Sequence, residues 1–386
     1  MTAQHLDVLK PTMTRPTIVI SVNAAWNLVN FRRSLLQGLV AGGYRVVAIA
    51  PPDGRENELA ALGVEFEPIA MNGRGMSPAE DARLLLSYLR ILRRVRPQAY
   101  LGFTIKPNVY GGLACRLLNI PRIANIAGLG TTFLHRGMLN RLVRRLYSTG
   151  LRGADCVFFQ NPDDRQRFLS ERIVDPGCAR LLPGSGVDLT RFAPQERAAD
   201  DRTVFLLVTR LLWAKGVAEF VAAAQELRRV HGTSVVCQIL GIRDHSPGGV
   251  DAETLERWQA EGQVELLDSV TDVRPTLTTA DCVVLPSYYP EGTPRSLLEA
   301  AAMGKPIVTT DMPGCRDVVE DGVNGYVCQP RDTASLVEAM TRYLALSAGE
   351  RRIMGQKSRT KAERDFDEKI VIDAYLERLS HVIHTK

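Results

Sequence analysis

Two carboxylates and two cations in the second half of the chain have the types and spacing for sugar and phosphate chemistry. Glu291 and Glu299 bracket Tyr289-Pro-Glu-Gly-Thr-Pro-Arg-Ser-Leu-Leu-Glu299, which reads as a strand end, a tight loop and a helix start. The apolar run Asp281–Ser287 precedes it, Gly292 and Pro294 mark the turn, and Ser296–Met303 is rich in helix formers. The first amides of a helix have no intrahelical acceptor and favour an anion or a hydroxyl oxygen; a carboxylate on either side offers acceptors to a polyol. Earlier, Arg210 and Lys215 lie in Thr209-Arg-Leu-Leu-Trp-Ala-Lys-Gly216, between a predicted strand and an apolar helix. A planar guanidinium fork and a compact ammonium at a strand end suit the oxygens of a diphosphate and its stabilisation as a leaving group. Taken singly, each has a plainer explanation: Glu299 as an acid favoured by a helix dipole, Arg210 and Lys215 as solvated surface cations.

The elements that must hold these residues alternate along the chain. Thr17–Ser21, Arg45–Ala50, Ala99–Phe103, Arg122–Ile126 and Cys156–Phe159 read as buried parallel strands, separated by helices such as Phe31–Ala41, Pro78–Arg94 and Leu139–Gly150. A break rich in Pro, Gly and polar residues runs from Leu181 to Asp201, and a second series follows at Thr203–Val208, Ser234–Leu240, Val264–Leu267, Cys282–Leu285 and Pro306–Thr309. Such alternation predicts two doubly wound α/β domains with ligands beyond the carboxyl ends of the strands. At 386 residues the chain also exceeds what one hydrophobic core supports. The expected division is a disordered lead at 1–15, domains at 16–190 and 191–368, and a closing helix at 369–386.

Composition narrows the function classes. Hydrophobic residues make up 45% and charged residues 24%, as in a soluble globular protein. Residues 1–190 hold 24 Lys and Arg against 14 Asp and Glu, whereas 191–386 hold 24 against 29, so the first half should face something anionic. Nucleic acid is not expected, because the arginines are not interleaved with aromatics and no DNA- or RNA-binding signature is present. The helix patterns at Arg83–Arg96 and Arg136–Arg152, with Arg141, Arg144, Arg145 and Arg152, could meet an anionic membrane surface or serve as solvated faces. The seven cysteines are scattered and never spaced as CxxC, which points to reduced thiols. No signal-peptide pattern and no run of about 18 apolar residues is present, so a cytoplasmic protein is expected, peripheral on the inner face of the membrane.

The passage Ala280–Pro330, together with Arg210 and Lys215-Gly216, resembles the donor-binding half of the retaining glycosyltransferases of family 4, which have two Rossmann-like domains in the GT-B arrangement with a cleft between them. The resemblance implies that Arg210 and Lys215 contact the diphosphate of a nucleotide sugar, Glu299 holds the ribose hydroxyls, and Glu291 lies beside the transferred sugar. It further implies that Gly292, Thr293 and Pro294 line the sugar, that Ser296, Leu297 and Leu298 lie near the diphosphate and ribose, and that the base sits near Gly241 and Leu266. A UDP-linked donor is expected, with no cofactor and no metal. Two positions depart from the family pattern: Asp268 stands where a glycine is usual, and Asp317 where a glutamate often follows the Gly314 turn.

On the first half, Phe103-Thr-Ile-Lys-Pro-Asn-Val-Tyr-Gly-Gly112 and Asn125-Ile-Ala-Gly-Leu-Gly-Thr-Thr-Phe133 look like passages of bacterial enzymes that extend polyprenyl-diphosphate-linked glycans, including those that add an N-acetylhexosamine. That likeness makes Lys106, Asn108, Tyr110 and Gly128 the acceptor-side candidates. Many relatives carry a glycine-rich turn where this chain has Asn23-Ala-Ala-Trp-Asn-Leu-Val-Asn-Phe-Arg32, and a histidine where it has Ile126-Ala-Gly128. The expectation is a retaining sugar transfer to a lipid-linked glycan. A nucleotide-sugar epimerase of the same architecture and a non-catalytic carbohydrate-binding protein are the alternatives.

Overall fold

The computed structural model describes residues 15–72, 77–130, 138–197, 201–244, 246 and 248–384; all but the last residue of the expected lead lies outside them. The first sheet contains β1 (Thr17–Ser21), β2 (Arg45–Ala50), β3 (Val64–Pro68), β4 (Ala99–Phe103), β5 (Arg122–Ile126), β6 (Cys156–Phe159) and β7 (Ala179–Leu181), in the order β3-β2-β1-β4-β5-β6-β7. The second contains β8 (Thr203–Leu211), β9 (Val235–Arg243), β10 (Glu265–Leu267), β11 (Cys282–Leu285), β12 (Ile307–Thr310) and β13 (Gly325–Cys328), in the order β10-β9-β8-β11-β12-β13. All these pairings are parallel. Strand order reverses between β1 and β4 in one sheet and between β8 and β11 in the other, the crevices where open α/β sheets hold ligands.

The sequence requires this layering. β1, β4, β5, β6, β11 and β12 are buried along their whole length, and only a sheet covered on both faces can hide such runs. The pleat sends Ile18 and Ile20 of β1 into one layer and Val19 into the other, with Tyr88 and Tyr100. The final helix, Glu368–His384, packs on the first of these layers, where Val371, Tyr375, Leu379 and Val382 join Leu36 and Phe103. Leu379 is wholly buried there and contributes about 1.5–3 kcal/mol to that attachment. Two adjacent crossings link the halves: the Val187 amide donates to the Phe366 carbonyl at 2.9 Å, and the Glu368 amide to the Val187 carbonyl at 3.1 Å.

One helix differs from the sequence expectation in a way that matters. Phe31–Ala41 is not continuous: helices Ala25–Phe31 and Arg33–Ala41 meet at Arg32, whose φ of −133° and ψ of 9° break the path. The Arg32 guanidinium lies over the Phe103 ring, 4.7 Å from its centre.

Candidate active site

β8 carries Arg210 close to its carboxyl end, and the turn Trp213–Lys215 leads into the helix Val217–His231. Gly216 joins turn and helix with φ of +76°, and a Cβ there would overlap the Pro286 carbonyl, so only glycine lets the Lys215 turn settle on the end of β11. Lys215 Nζ meets Glu291 Oε2 at 2.5 Å, with the two side chains only 10% and 11% exposed. The ammonium also lies 5.2 Å from the centre of the Tyr289 ring. The second oxygen of Glu291 accepts from Ser287 Oγ at 2.7 Å. Arg210 is half exposed and pairs with Asp244 at 3.1 Å.

Gly292, Thr293 and Pro294 are buried, and Pro294 is the extended N-cap of the helix Arg295–Ala302, which no side chain caps. One turn into that helix, Arg295 Nε donates to Glu299 Oε1 at 2.8 Å. Burial pushes the Glu299 carboxyl up, and the charge of Arg295 opposes the shift. Ser296 is partly exposed, whereas Leu297 and Leu298 lie wholly in the core, so only their backbone atoms could meet a ligand. Gly241 is in register with Thr209, next to Arg210, and Leu211 fills the space a side chain would need. Leu266 lies one strand farther out, opposite Ile239, half-buried against the core.

The first domain seats its strand ends on this group. Gly128 has φ of +101°, and a Cβ on it would run into the Gly292 amide. The Gly130 amide donates to the Pro290 carbonyl at 3.2 Å, Asn161 Nδ2 to the Glu291 carbonyl at 3.1 Å, and Thr293 Oγ1 to the Gln160 carbonyl at 2.9 Å. Arg316 reaches back to Asp163 at 2.7 Å. Gly128 is thus brought to the Glu291 loop. Lys106, Asn108 and Tyr110 gather elsewhere, around Asp81 and Asn125: Lys106 Nζ pairs with Asp81 at 2.8 Å, and Asn108 is 2% exposed and donates to the Asn125 carbonyl at 2.8 Å. Burial pushes the Tyr110 phenol up, and the hydrogen bond and charge of Asp81 add to the shift. Asn108 and Tyr110 lie on a π-helical turn, Pro107–Gly111, a local form that often marks functional sites.

Sequence reasoning missed Ser287, Gln160, Asn161 and Arg295. Arg295 had a signal, its four-residue spacing to Glu299 on one helix. Gln160 and Asn161 had only their place at the end of a buried strand. Among the described residues, no group of three or more His, Cys, Asp or Glu is arranged to hold a metal ion, and no helix is long and apolar enough to cross a membrane. All seven cysteines are free.

Comparison with known proteins decides the family. Residues 29–185 match the model of the glycosyl transferase 4-like domain, and residues 190–361 that of the glycosyl transferases group 1. The chain is a glycosyltransferase of this two-domain family. This glycosyltransferase is 26% identical over 378 residues to the N,N'-diacetylbacillosaminyl-diphospho-undecaprenol alpha-1,3-N-acetylgalactosaminyltransferase of Campylobacter jejuni, covering 94% of this chain and 97% of that one. It is 23% identical to the UDP-Gal:alpha-D-GlcNAc-diphosphoundecaprenol alpha-1,3-galactosyltransferase of Escherichia coli, over 70% of this chain and 72% of that one. Its fold matches the sucrose-phosphate synthase of Thermosynechococcus elongatus with a TM-score of 0.81 and 18% identity, over 96% of this chain and all of that one. The seven- and six-stranded parallel domains make the architecture GT-B.

Proposed function

We propose that this glycosyltransferase moves a sugar from a nucleoside-diphosphate donor to a polyprenyl-diphosphate-linked glycan, with retention at the anomeric carbon. The observation that carries this reading is the set of charges at the β8/β11 crevice, where Lys215 on Glu291, Arg210 and the Arg295–Glu299 pair stand together at the uncapped start of a helix. The names of the C. jejuni and E. coli relatives specify diphospho-undecaprenol acceptors, which supports a lipid-linked acceptor here; the E. coli name specifies a UDP donor and the C. jejuni name an N-acetylhexosamine. These are transferases, which disfavours epimerisation and a purely sugar-binding role.

In this reading Arg210 and Lys215 hold the donor diphosphate, Glu299 the ribose hydroxyls and Glu291 the sugar, with Gly292–Pro294 and the backbone of Ser296–Leu298 around them. The base lies toward Gly241 and Leu266. Gly128, and beyond it Lys106, Asn108 and Tyr110, serve the acceptor side. Attack is from the front face: the bond from the anomeric carbon to phosphate oxygen breaks, the acceptor oxygen bonds on the same face, and its proton passes to the departing phosphate. Arg210 and Lys215 stabilise the charge that develops there. Both Glu291 oxygens are engaged, by Lys215 and Ser287, which suits a sugar-binding carboxylate better than the back-side nucleophile of a double displacement. Because two cations already face the leaving group, the reaction needs no divalent metal; full activity in excess chelator is expected, and a loss restored by Mg²⁺ would reject this. An acceptor of this kind places the enzyme at the inner face of the membrane, bound peripherally.

The test is a panel of UDP- and GDP-sugars with polyprenyl-diphosphate-linked acceptors, comparing wild type with Glu299→Ala and Lys215→Ala. Transfer from one donor, at least about 100-fold weaker in both variants, supports the reading. A donor isomerised without acceptor would replace it.

A further inference from the structure

Lys215, Arg210 and Arg295 on the second domain each pair with a carboxylate, whereas Arg32 in the matching crevice of the first domain has no such partner among the described residues. That crevice lies between the carboxyl ends of β1 and β4. Arg32, at the helix break that follows β1, lies over Phe103 at the end of β4. Its guanidinium donates to its neighbour's carbonyl, that of Phe31, at 3.0 Å, and no ion pair joins it to a carboxylate among the described residues. Although some of its surface stays accessible, the guanidinium is sunk deep enough that burial lowers its pKa to about 10, and the ionisable groups acting on it are Tyr375 and a second cation, Arg295. Arg295 arrives from the second domain: it lies 5.9 Å from the centre of the Phe31 ring and reaches Ser185 Oγ at 3.4 Å. The Arg295 guanidinium, paired with Glu299, therefore comes up to the first crevice from the opposite domain.

Burying a cation without a counterion is costly. Retained in a ligand crevice, such a charge points to an anion brought by the ligand. A rigid fork of donors selects the paired oxygens of phosphate, and two forks suit a diphosphate.

We propose that Arg32, with Arg295, forms a second phosphate-binding site, separate from Arg210 and Lys215, that takes the diphosphate of the acceptor. This rests on the reading that donor and acceptor each carry a diphosphate. The donor has its cations in the β8/β11 crevice, so two diphosphates in one cleft call for a second cationic set. A lipid diphosphate carrying a single sugar, the kind of acceptor in the names of the C. jejuni and E. coli relatives, fits this reading.

Inorganic pyrophosphate titrated calorimetrically into the full chain at low salt, with and without saturating UDP, tests the site without turnover, so it stands or falls apart from the transfer reaction. Two sites are expected in the wild type, one of them removed by UDP. Arg32→Gln should weaken the UDP-insensitive site at least about 10-fold, and Lys215→Ala the UDP-sensitive one. Arg32→Lys keeps the charge without the fork, guards against misfolding of the Gln variant, and should bind with intermediate affinity. A single site that UDP displaces, or an unchanged UDP-insensitive site in Arg32→Gln, overturns the proposal; displacement of pyrophosphate from both sites by UDP would assign Arg32 to the donor and overturn the acceptor role. In turnover with a monosaccharide-diphosphate lipid, Arg32→Gln should raise the acceptor KM about 10-fold and leave UDP affinity alone.

Discussion

Lys215 and Glu291 hold each other at 2.5 Å in the crevice between β8 and β11, nearly out of reach of solvent. In the proposed reading a donor diphosphate seated on Lys215 competes with Glu291 for the ammonium. Glu291→Gln should therefore destabilise the ligand-free protein, since removing one partner of a buried pair costs about 3–5 kcal/mol. UDP should raise the melting temperature of this variant more than that of the wild type, because Lys215 no longer leaves a partner to bind phosphate. Equal UDP shifts in thermal unfolding would show that the nucleotide leaves the pair intact.

Gly128 is a point of close backbone approach between the domains. Alanine at this position must adopt a φ near +101° and push its Cβ against the Gly292 amide, a backbone atom that cannot swing aside. The strain alone is worth about 1–3 kcal/mol. Gly128→Ala should open the cleft, seen as a larger radius of gyration in solution scattering, and lower transfer at least about 10-fold. Gly130→Ala is the control for left-handed strain without the clash, because Gly130 also has a positive φ, +63°, but its Cβ would meet only the Tyr289 hydroxyl at 3.4 Å. An unchanged scattering profile in Gly128→Ala would mean that the contact does not hold the cleft shut.

What the sequence disclosed follows burial and locality. β1, β4, β5, β6 and β11 were legible to the residue because central parallel strands are unbroken apolar runs. The strands that went unrecognised, β3, β7 and β13, all lie at sheet edges, where one side lacks a partner and the run is short or interrupted by acids, as in Val64-Glu-Phe-Glu-Pro68. Lys215 and Glu291 were legible because each belongs to a compact local motif. Asn161 was not, since its bond to the Glu291 carbonyl spans 130 residues and needs the domains brought together. Arg32 was hidden inside a pattern that continues as helix on both sides of the break.

Asp164 makes stability depend on pH. It is 6% exposed in the first turn of the helix Pro162–Ser170, and burial pushes its pKa up to about 6, aided by the charges of Asp163 and Asp317 and opposed by its bond from Asn161. A carboxyl raised in the folded state favours folding while protonated, so its contribution is complete below the unfolded value near 4 and is lost as pH rises through about 6. The change is about 3 kcal/mol across that window. Asp164→Asn should gain stability over the wild type in denaturant unfolding at pH 7.5 and show little difference at pH 4. Parallel stability curves for the two proteins would assign the pH dependence to other groups.

The proposed membrane association makes unequal demands on the four arginines at the helix Met138–Leu151. Arg141, Arg145 and Arg152 are exposed, with Leu142 46% exposed beside them, whereas Arg144 pairs with Glu171 at 3.1 Å. A basic side chain near an anionic leaflet gains about 1 kcal/mol, so three exposed ones amount to a partition change of roughly 100-fold. Changing Arg141, Arg145 and Arg152 to Gln should abolish flotation with vesicles rich in anionic lipid, while Arg144→Gln should leave it nearly unchanged because its charge is already matched. Salt at about 0.5 M should mimic the triple variant, since screening then acts within a few ångströms. If the triple variant floats as well as the wild type, these arginines form a solvated face of the first domain and the membrane is met elsewhere.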